Sequence, residues 1–562
     1  MMMLTSVRAA GSRPVVPPRP RGYCVDAVTD QPTTSEPGTH GSTWSPLRIG
    51  VFRAIWLAVL VSNIGLWMQT VGAQWLLVEQ PHASILVALV QTADMLPDVI
   101  FGVVGGVLAD MFDRRRLLIA VQAFMTVTAV ALTALTFAGQ MPPALLLTFT
   151  FVLGTGSVIS LPAYQSLIPE LVPRTQVAAA STLGSISVNL ARAIGPAIAG
   201  VLIARIGVGA VFAINAATFL AYCIVVVAWH PAVEASTQLP ERFASALRAG
   251  GRYVRYAPVV RRMLLRTSLF LVPGSALWAL LPLVATQRLH MGASGYGLLL
   301  GALGVGAVAG SFLLPPLRAK LSANRLLLAA SLVYGAVMAA IVLIPTAVLA
   351  VVLLLPAGLA WMAVLSTMNA SLQLFLPEWV RGRGLSVYLT VLFGSQAVGA
   401  VVWGFVAAPK GVTPAFLIAA ALMVGGAATI RMWPMIDTAG MDRRTVTRSE
   451  PQLAFDALPD QGPIVVRITY TVSSERERTF LDSMARVRLS RLRTGATQWG
   501  LFRDGESPHE FVELFVVTSW DEHLRQHTDR LTGTDAEYLD YARSLSDPEP
   551  RTSHLIATEL TG

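Results

Sequence analysis

The chain has 562 residues, of which 54% are hydrophobic and 13% charged. A soluble domain carries roughly 25% charged residues, so the composition excludes a wholly soluble enzyme and predicts a polytopic membrane protein with soluble ends. The formal charge of +9 does not point to nucleic acid, because most arginines sit between apolar runs on alternate loops, which is the positive-inside bias. Cys24 and Cys223 fall in a tail and in an apolar run, and give neither a disulfide framework nor a metal site. No cleavable signal peptide is expected, since the first residues lack an apolar core.

Residues 1–47 are rich in Pro, Ser, Thr, Gly and Arg and should form a disordered cytoplasmic tail. Twelve membrane spans are then expected near 51–78, 83–109, 115–138, 142–168, 178–206, 208–230, 263–287, 294–317, 323–345, 347–375, 384–408 and 412–433. Arg114, Arg115, Arg116, Arg174, Arg318, Lys320, Arg325, Arg381 and Arg383 occupy every second loop, whereas the opposite loops hold little beyond Arg205, Arg288 and Lys410. That asymmetry places both termini in the cytoplasm, in a plasma (cell inner) membrane. The spans divide into six-helix halves, 48–230 and 263–433. The stretch 231–262 between them is basic and amphipathic, which suits the anionic inner membrane surface. Pro169-Glu170-Leu171-Val172 after span 4 and Pro377-Glu378-Trp379-Val380 after span 10 read as a worn repeat of the halves.

Residues 434–463 read as a linker and 464–562 as a small cytoplasmic domain. Ile464 to Val472 alternates as a strand, and Ser474 with Glu477 offers a capping box for a following helix. Two antiparallel strands, a helix near 521–532, a second near 534–545 and a last strand complete a β-α-β-β-α-β order, the ferredoxin-like unit. His523 and His527 are spaced for one helix face, and a solvated face is expected there rather than a metal site. The fold class is therefore an all-α polytopic membrane protein with a small α+β tail.

Asp94 and Asp98 lie deep in span 2, four residues apart and so on one helix face, with Pro97 between them. An ionised carboxylate at mid-span costs about 2.5–3.5 kcal/mol on insertion scales, so a proton can load and leave there near neutral pH. Arg192, midway through span 5, needs a partner or water, and Asp94 lies at similar depth. These three residues are the candidate proton or charge relay. Gly195, Pro196 and Gly200 follow on span 5, where proline loosens the helix and glycines allow close packing. Asn63, Trp67, Gln69, Gln74, Gln91, Asn369 and Gln373 are candidates to face a central cavity for an amphiphilic ligand, through hydrogen bonds and apolar contact. Bonds between helices would use the same amides.

Between spans 2 and 3 runs GGVLADMFDRRR, which brings Gly106, Asp110, Asp113, Arg114, Arg115 and Arg116 into one tight turn. This pattern resembles the loop between helices 2 and 3 of the major facilitator superfamily, with Met111 where a basic residue is usual and Asp113 where glycine is usual. The FDRRR variant is similar to the enterobactin-exporter-like, transmembrane secretion effector branch of drug and siderophore exporters. The resemblance implies a two-half transporter whose loop aspartate, here Asp110, holds a cytoplasmic gate against the start of span 11. It also makes Gly195, Pro196 and Gly200 a truncated antiporter motif, its upstream glycines replaced by Thr182 and Ala191. The tail resembles the antibiotic-biosynthesis monooxygenase family, which pairs into dimeric α+β barrels.

Together these readings predict a secondary transporter that exports an amphiphilic small molecule, such as a drug, siderophore or secondary metabolite, by alternating access and in exchange for protons. No nucleotide-binding loop of the form G-x-x-x-x-G-K-[ST] is present, so ATP is not the direct energy source. No cofactor and no catalytic residue are expected. The partners are the substrate and the bilayer, with the tail free to self-associate or to bind a cytoplasmic protein. The alternatives from other classes are an importer, and a membrane-anchored tail that is itself a monooxygenase-like or haem-handling enzyme.

Overall fold

The computed structural model describes residues 42–230 and 243–558, apart from Pro345, Asp437, Ala439, Gln452 and Asp456; the side chains of Val103, Asp110 and residues 243–249 lie outside the described set. The expected 1–47 tail is thus outside the description up to residue 41. An apolar run in lipid must satisfy every backbone group internally, and the first half does so with six helices: α1 Gly50–Leu77, α2 Ala83–Met111, α3 Arg114–Phe137, α4 Pro143–Leu171, α5 Val177–Ile206 and α6 Val208–Ala228. Helix α7, Phe243–Tyr256, leads into the second half: α8 Pro258–Leu283, α9 Ala293–Lys320, α10 Ala323–Leu343, α11 Ala347–Phe375, α12 Glu378–Lys410 and α13 Val412–Ala428. Eleven of these are long and apolar enough to cross a membrane, counting α8 with the π-helical turn Val284–Arg288 that continues it. The expected twelfth is α13, an apolar helix of 17 residues, at the short end of the roughly 17–25 that span a bilayer.

Two boundaries differ from expectation. Helix α8 begins at Pro258 rather than near 263, because proline at the first helical position is already set for helix and lacks only an amide that would be unbonded anyway. Helix α12 begins at Glu378 rather than near 384, behind Pro377. The first amides of span 11 therefore start at Glu378 and Trp379, a turn earlier than expected, and Val380 already donates to the Pro377 carbonyl at 3.2 Å.

The halves meet along two helix pairs, α2 with α12 and α5 with α9. In the second pair the backbones touch. A side chain at Gly200 would begin 2.6 Å from the Ala293 carbonyl oxygen, and one at Gly297 would begin 2.5 Å from that of Pro196. Only glycine admits this approach.

The tail has a four-stranded antiparallel sheet in the order β2-β3-β1-β4, made of β1 Ile464–Thr471, β2 Gln498–Arg503, β3 Glu510–Val517 and β4 Arg551–Ile556. Helix α14 (Glu477–Thr494) joins β1 to β2, and α15 (Trp520–Thr528) with α16 (Gly533–Ser544) joins β3 to β4. This is the expected ferredoxin-like order, with the second crossover split in two. The expected capping box of Ser474 and Glu477 does not form. Arg476 stands at the N-cap, and Glu477 is held by Arg503 instead. The capping box lies at α16, where Thr532 and Asp535 bond reciprocally.

Helix α7 is not laid along a lipid surface over its last turns. Its Tyr253 is buried with its ring edge-on to Trp379 of α12, 5.7 Å between centroids, and Arg493 of α14 lies over the same tyrosine at 5.8 Å. Arg252 approaches Glu522 of α15 at 3.8 Å. The aromatic and basic residues that suit headgroups serve equally well to clamp two protein surfaces, and the tail supplies the acid and the cations that meet them. The linker is likewise packed rather than loose: Val446 and Arg448 donate backbone bonds to Leu531 and His527.

Candidate functional site

The two halves are sealed at one end. On the face opposite the Arg114–Arg116 turn, α5 and α9 touch through Gly200 and Gly297. There α2 and α12 are equally close: a side chain on Gly404 would begin 2.7 Å from Ala88 Cβ. Midway, the Thr92 hydroxyl donates to the Ala397 carbonyl at 3.3 Å, and beside Gly394 the nearest atom, on Val99, is 3.7 Å away. Beyond that point, toward the arginine-rich face, a side chain at Gly102, Gly106 or Gly382 would meet nothing within 4 Å.

Between the sealed end and these open positions stand the candidate relay residues. Asp94 and Asp98 are half-buried on α2 and near enough to repel each other. Gly154 of α4 lets this stretch pack closely, since a side chain there would begin 3.0 Å from the Pro97 ring and 3.2 Å from the Asp94 carbonyl. The expected Asp94–Arg192 ion pair is not among the described ion pairs. The Arg192 guanidinium lies over the Trp67 ring, 5.6 Å from its centroid, and its Nε is buried without a hydrogen-bond partner. A ring face can stabilise a cation within about 6 Å, so the arginine has a resting place that leaves both carboxylates without a fixed cation.

Trp67 opens a chain of rings that the sequence reading missed. It lies 6.0 Å from Trp278 of α8, which lies 5.4 Å from Trp361 of α11, and Phe270 and Tyr334 pack on Trp361 at 5.7 and 5.8 Å. The signal was present in the sequence as isolated aromatics on spans 7, 9 and 10, but nothing linear joined them.

The cavity candidates separate. Gln69, Gln74 and Gln91 are buried. Asn215 of α6 donates to Gln69. Gln74 accepts from the Tyr296 hydroxyl of α9 and donates to the Trp278 carbonyl at 3.4 Å. Gln74 thereby ties the two halves together at the sealed end. Asn63 donates to Ser187 of α5 at 3.5 Å. Only Asn369 and Gln373 are exposed, bonded to each other at 3.1 Å. Asn63, Gln69 and Gln74 therefore join helices. On α5, Gly195 packs against Trp67 of α1, where a side chain would begin 2.8 Å from its Cβ. Gly195 and Gly200 thus serve two different neighbours, α1 and α9.

In the turn between α2 and α3, Asp113 caps α3 by accepting from the Arg116 amide at 2.7 Å. Arg114 pairs with Glu170 of α4, and Arg115 donates to the Val226 and Val227 carbonyls at the end of α6, at 3.3 and 2.7 Å. Arg116 is exposed. The Asp110 side chain lies outside the described set.

In the tail, the expected solvated face of α15 is instead turned inward. His523 is 1% exposed, with its ring 5.0 Å from those of His527 and His554 and 5.5 Å from Trp520. Histidine spacing alone cannot tell an inward face from an outward one.

Compared with known proteins, residues 41–561 match a family described as transmembrane secretion effector. The staphyloferrin A transporter of Staphylococcus aureus is 26% identical over 45% of this chain, and the match spans 64% of its own length, less than two thirds. The enterobactin exporter of Citrobacter koseri is 27% identical over 63% of this chain and 84% of its own. Among solved structures, a D-xylose–proton symporter has a TM-score of 0.56 at 14% identity, covering 68% of this chain and 98% of that one. A bacterial homologue of the human lysosomal transporter Spinster also scores 0.56, at 15% identity, covering 69% of this chain and 97% of that one. These similarities establish the major facilitator fold for the membrane part.

Proposed function

The chain belongs to the transmembrane secretion effector family, and from that premise we propose that it is a secondary transporter that exports an amphiphilic small molecule in exchange for protons. The arginine-rich face is the cytoplasmic one, in a cell inner membrane with both termini inside. We read the end at Gly102, Gly106 and Gly382 as an opening to the cytoplasm, which makes the described conformation the one that loads cargo. Cargo meets Trp67, the half-buried end of the aromatic chain, whose flat apolar ring suits an amphiphile.

The observation that carries this reading is the pair of half-buried carboxylates at the apex of the opening, with the nearby arginine parked on Trp67. A carboxylate without a fixed cation at that depth is stable only when protonated or hydrated. A proton arriving from the far side would discharge it, and rotation of the halves about the apex would exchange its exposure. The siderophores named for the relatives, staphyloferrin A and enterobactin, favour a cargo of that general class. Asp110 remains the proposed cytoplasmic gate residue: its partners in the closed state would be the first amides of α12, Glu378 and Trp379, where a carboxylate gains roughly 0.3–1 kcal/mol.

In proteoliposomes with an imposed proton gradient, the wild-type chain should move cargo outward and acidify the opposite compartment. Asp94→Asn should keep cargo binding and abolish cargo-driven proton movement. Proton flux at the native rate in that variant would make Asp94 structural. Inward flux under the same gradient would make the protein an importer.

The tail's own partner is a second copy of itself. Its sheet has one face under the helices, and the other carries Val465, Phe502, Val512, Leu514, Val516 and Leu555, with Phe502 and Leu555 each 55% exposed. Cross-linking through a cysteine placed at Phe502 tests this pairing, and an absence of cross-linked dimer at any protein density would exclude it.

A further inference from the structure

Helix α5 has two stripes that its neighbours leave uncovered, and they differ in chemistry. Ser181, Ser185, Asn189 and Arg192 form one, at successive spacings of four, four and three residues; the two serines are exposed, Asn189 and Arg192 half-buried. Leu190, Ile194, Ile198 and Val201 form the other, all exposed, with the same spacings displaced by nine residues. Nine residues are about two and a half turns, so the stripes lie on opposite sides of the helix. Packing takes the flanks between them. On one flank Ser187 accepts from Asn63 of α1 at 3.5 Å, and Gly195 meets Trp67. On the other, a side chain at Gly304 of α9 would begin 2.5 Å from Ala193 Cα and 3.0 Å from the Arg192 carbonyl oxygen. The aliphatic stripe suits lipid. The stripe with the charge then faces the space between α1 of one half and α9 of the other, because a charge at this depth turns away from lipid.

Arg192 is the one charged residue of α5 before Arg205. Its Nε is buried without a partner, and among the described residues its guanidinium meets only the Trp67 ring, 5.6 Å from the centroid. Arginine keeps its charge at any physiological pH, whereas a carboxylate sheds its own by taking up a proton. Asp94 and Asp98 can therefore stand without a counter-ion, and Arg192 cannot. A ring face meets part of that need and leaves the N–H donors of the fork unspent. The neighbours on the stripe do not compete for an anion. Ser185 and Asn189 turn donors onto their own helix, to the Ser181 and Ser185 carbonyls at 3.3 and 2.9 Å. The positive charge that a ligand meets on this face is that of Arg192 alone.

We propose that the cargo is an organic anion whose carboxylate is bound by Arg192, with Trp67 as the positioning residue that holds the guanidinium toward the space between the halves. A carboxylate matches the planar fork of an arginine with two parallel hydrogen bonds. The inference rests on the transport reading and narrows its substrate class from amphiphiles in general to acids. It also separates two roles: the acids of α2 carry protons, and the arginine of α5 carries the counter-charge for cargo.

The test is equilibrium binding to the full chain in nanodiscs, with no gradient imposed and binding to empty nanodiscs subtracted. Three probes share one fluorophore: dansylglycine is an anion, dansylamide is neutral and dansylcadaverine is a cation. Dansylglycine should bind at least about tenfold more tightly than dansylamide, and more tightly than dansylcadaverine. Arg192→Gln should bring dansylglycine down to the level of dansylamide while dansylamide binds as before, which certifies the fold. Arg192→Lys, which keeps the charge and loses the fork, should restore part of the preference. Trp67→Leu should lower the ratio of acid to amide affinity severalfold; equal weakening of all three probes would give Trp67 a structural role only. Equal affinity for acid and amide in the wild-type chain, tightest binding of the cation, or a preference that survives Arg192→Gln would each overturn the anion site. So would dansylglycine at millimolar concentration bound no more than by empty nanodiscs. Failure of the transport reading shows separately, in flux: a chain that prefers the acid at equilibrium but moves cargo inward, or without protons, keeps the anion site and loses the exchange.

Discussion

In the first half, Arg114 at the start of α3 binds Glu170 at the end of α4, and Arg115 closes the carbonyl end of α6. Three helices are thereby locked at the arginine-rich face by residues of that half alone. In the second half the nearest counterpart, Arg318 at the end of α9, donates to Ser366 and Thr367 of α11 at 2.6 and 3.2 Å. Glu378, the counterpart of Glu170, sits instead in the first turn of α12, where the helix dipole favours it. Trp379, where the first half has Leu171, receives Tyr253 of α7 and the Arg530 guanidinium of the tail, 5.0 Å from its ring. The same turn thus closes on itself in one half and serves as a dock in the other. One half is braced internally, and the other is braced by the tail and by the helix that links the halves.

That contrast can be broken most severely through the tail. Arg493 and Asp535 form an ion pair that is nearly buried on both sides. Removing one partner leaves a lone buried charge, a loss of about 3–5 kcal/mol. Arg493→Ala should unfold the tail and expose Tyr253 and Trp379 to solvent, seen as faster hydrogen exchange in α7 and the first turn of α12 with the α3–α4 turn unchanged. Equal change in both turns would refute the asymmetry.

Acid should act more mildly and in the same place. His523 and His527 have folded values near 3 and 4, below the unfolded value of about 6.5, so the unfolded tail binds more protons. Stability from neutral burial is full above about pH 6.5 and falls as the pH drops toward 4. The loss is on the order of 2 kcal/mol per imidazole by pH 5. Limited proteolysis at pH 7.5 and pH 5 should release the tail only at the lower pH, leaving α1–α6 intact. A tail equally resistant at both would mean the imidazoles are solvated.

Trp379→Ala removes the dock without touching the tail's own core. Losing the cation–ring contact and its edge-on tyrosine should cost about 0.5–2 kcal/mol. It should lower the yield of a disulfide cross-link engineered between α7 and α14. The smallest effect is the sharpest discriminator. A double-mutant cycle on Arg114 and Glu170, whose side chains are about one-third exposed, should give a coupling of about 0.2–1 kcal/mol. The cycle on Arg318 and Glu378 should give none. Similar couplings would mean that the halves brace themselves alike.

Much of this architecture was legible in the chain. Apolar runs such as 323–345 and 347–375 can do only one thing in lipid, so α10 and α11 fall where the runs do. Alternation in Ile464–Val472 and turn residues at short intervals gave the tail its strands and their order. Where local rules competed, the reading failed. Ser474 and Glu477 had the spacing of a cap, but Arg503 of a neighbouring strand claimed the glutamate. The basic stretch before Tyr256 suited a lipid surface, yet it met a tryptophan and a folded domain. His523 and His527 fit a wet helix face as well as the buried one they occupy.

By itself, then, the sequence determined the mostly helical membrane part, the approximate place of its helices, the arginine bias of one face and the ferredoxin-like order of the tail. These follow from composition, periodicity and chain continuity, which act over one to a few turns. Only tertiary structure decided which end of the halves is sealed, that Arg192 rests on Trp67 and not on Asp94, that Asn63, Gln69 and Gln74 join helices, and that His523 is turned inward in the tail. Each of those depends on side chains from segments distant in sequence, whose mutual placement is set by packing and carries no linear signature.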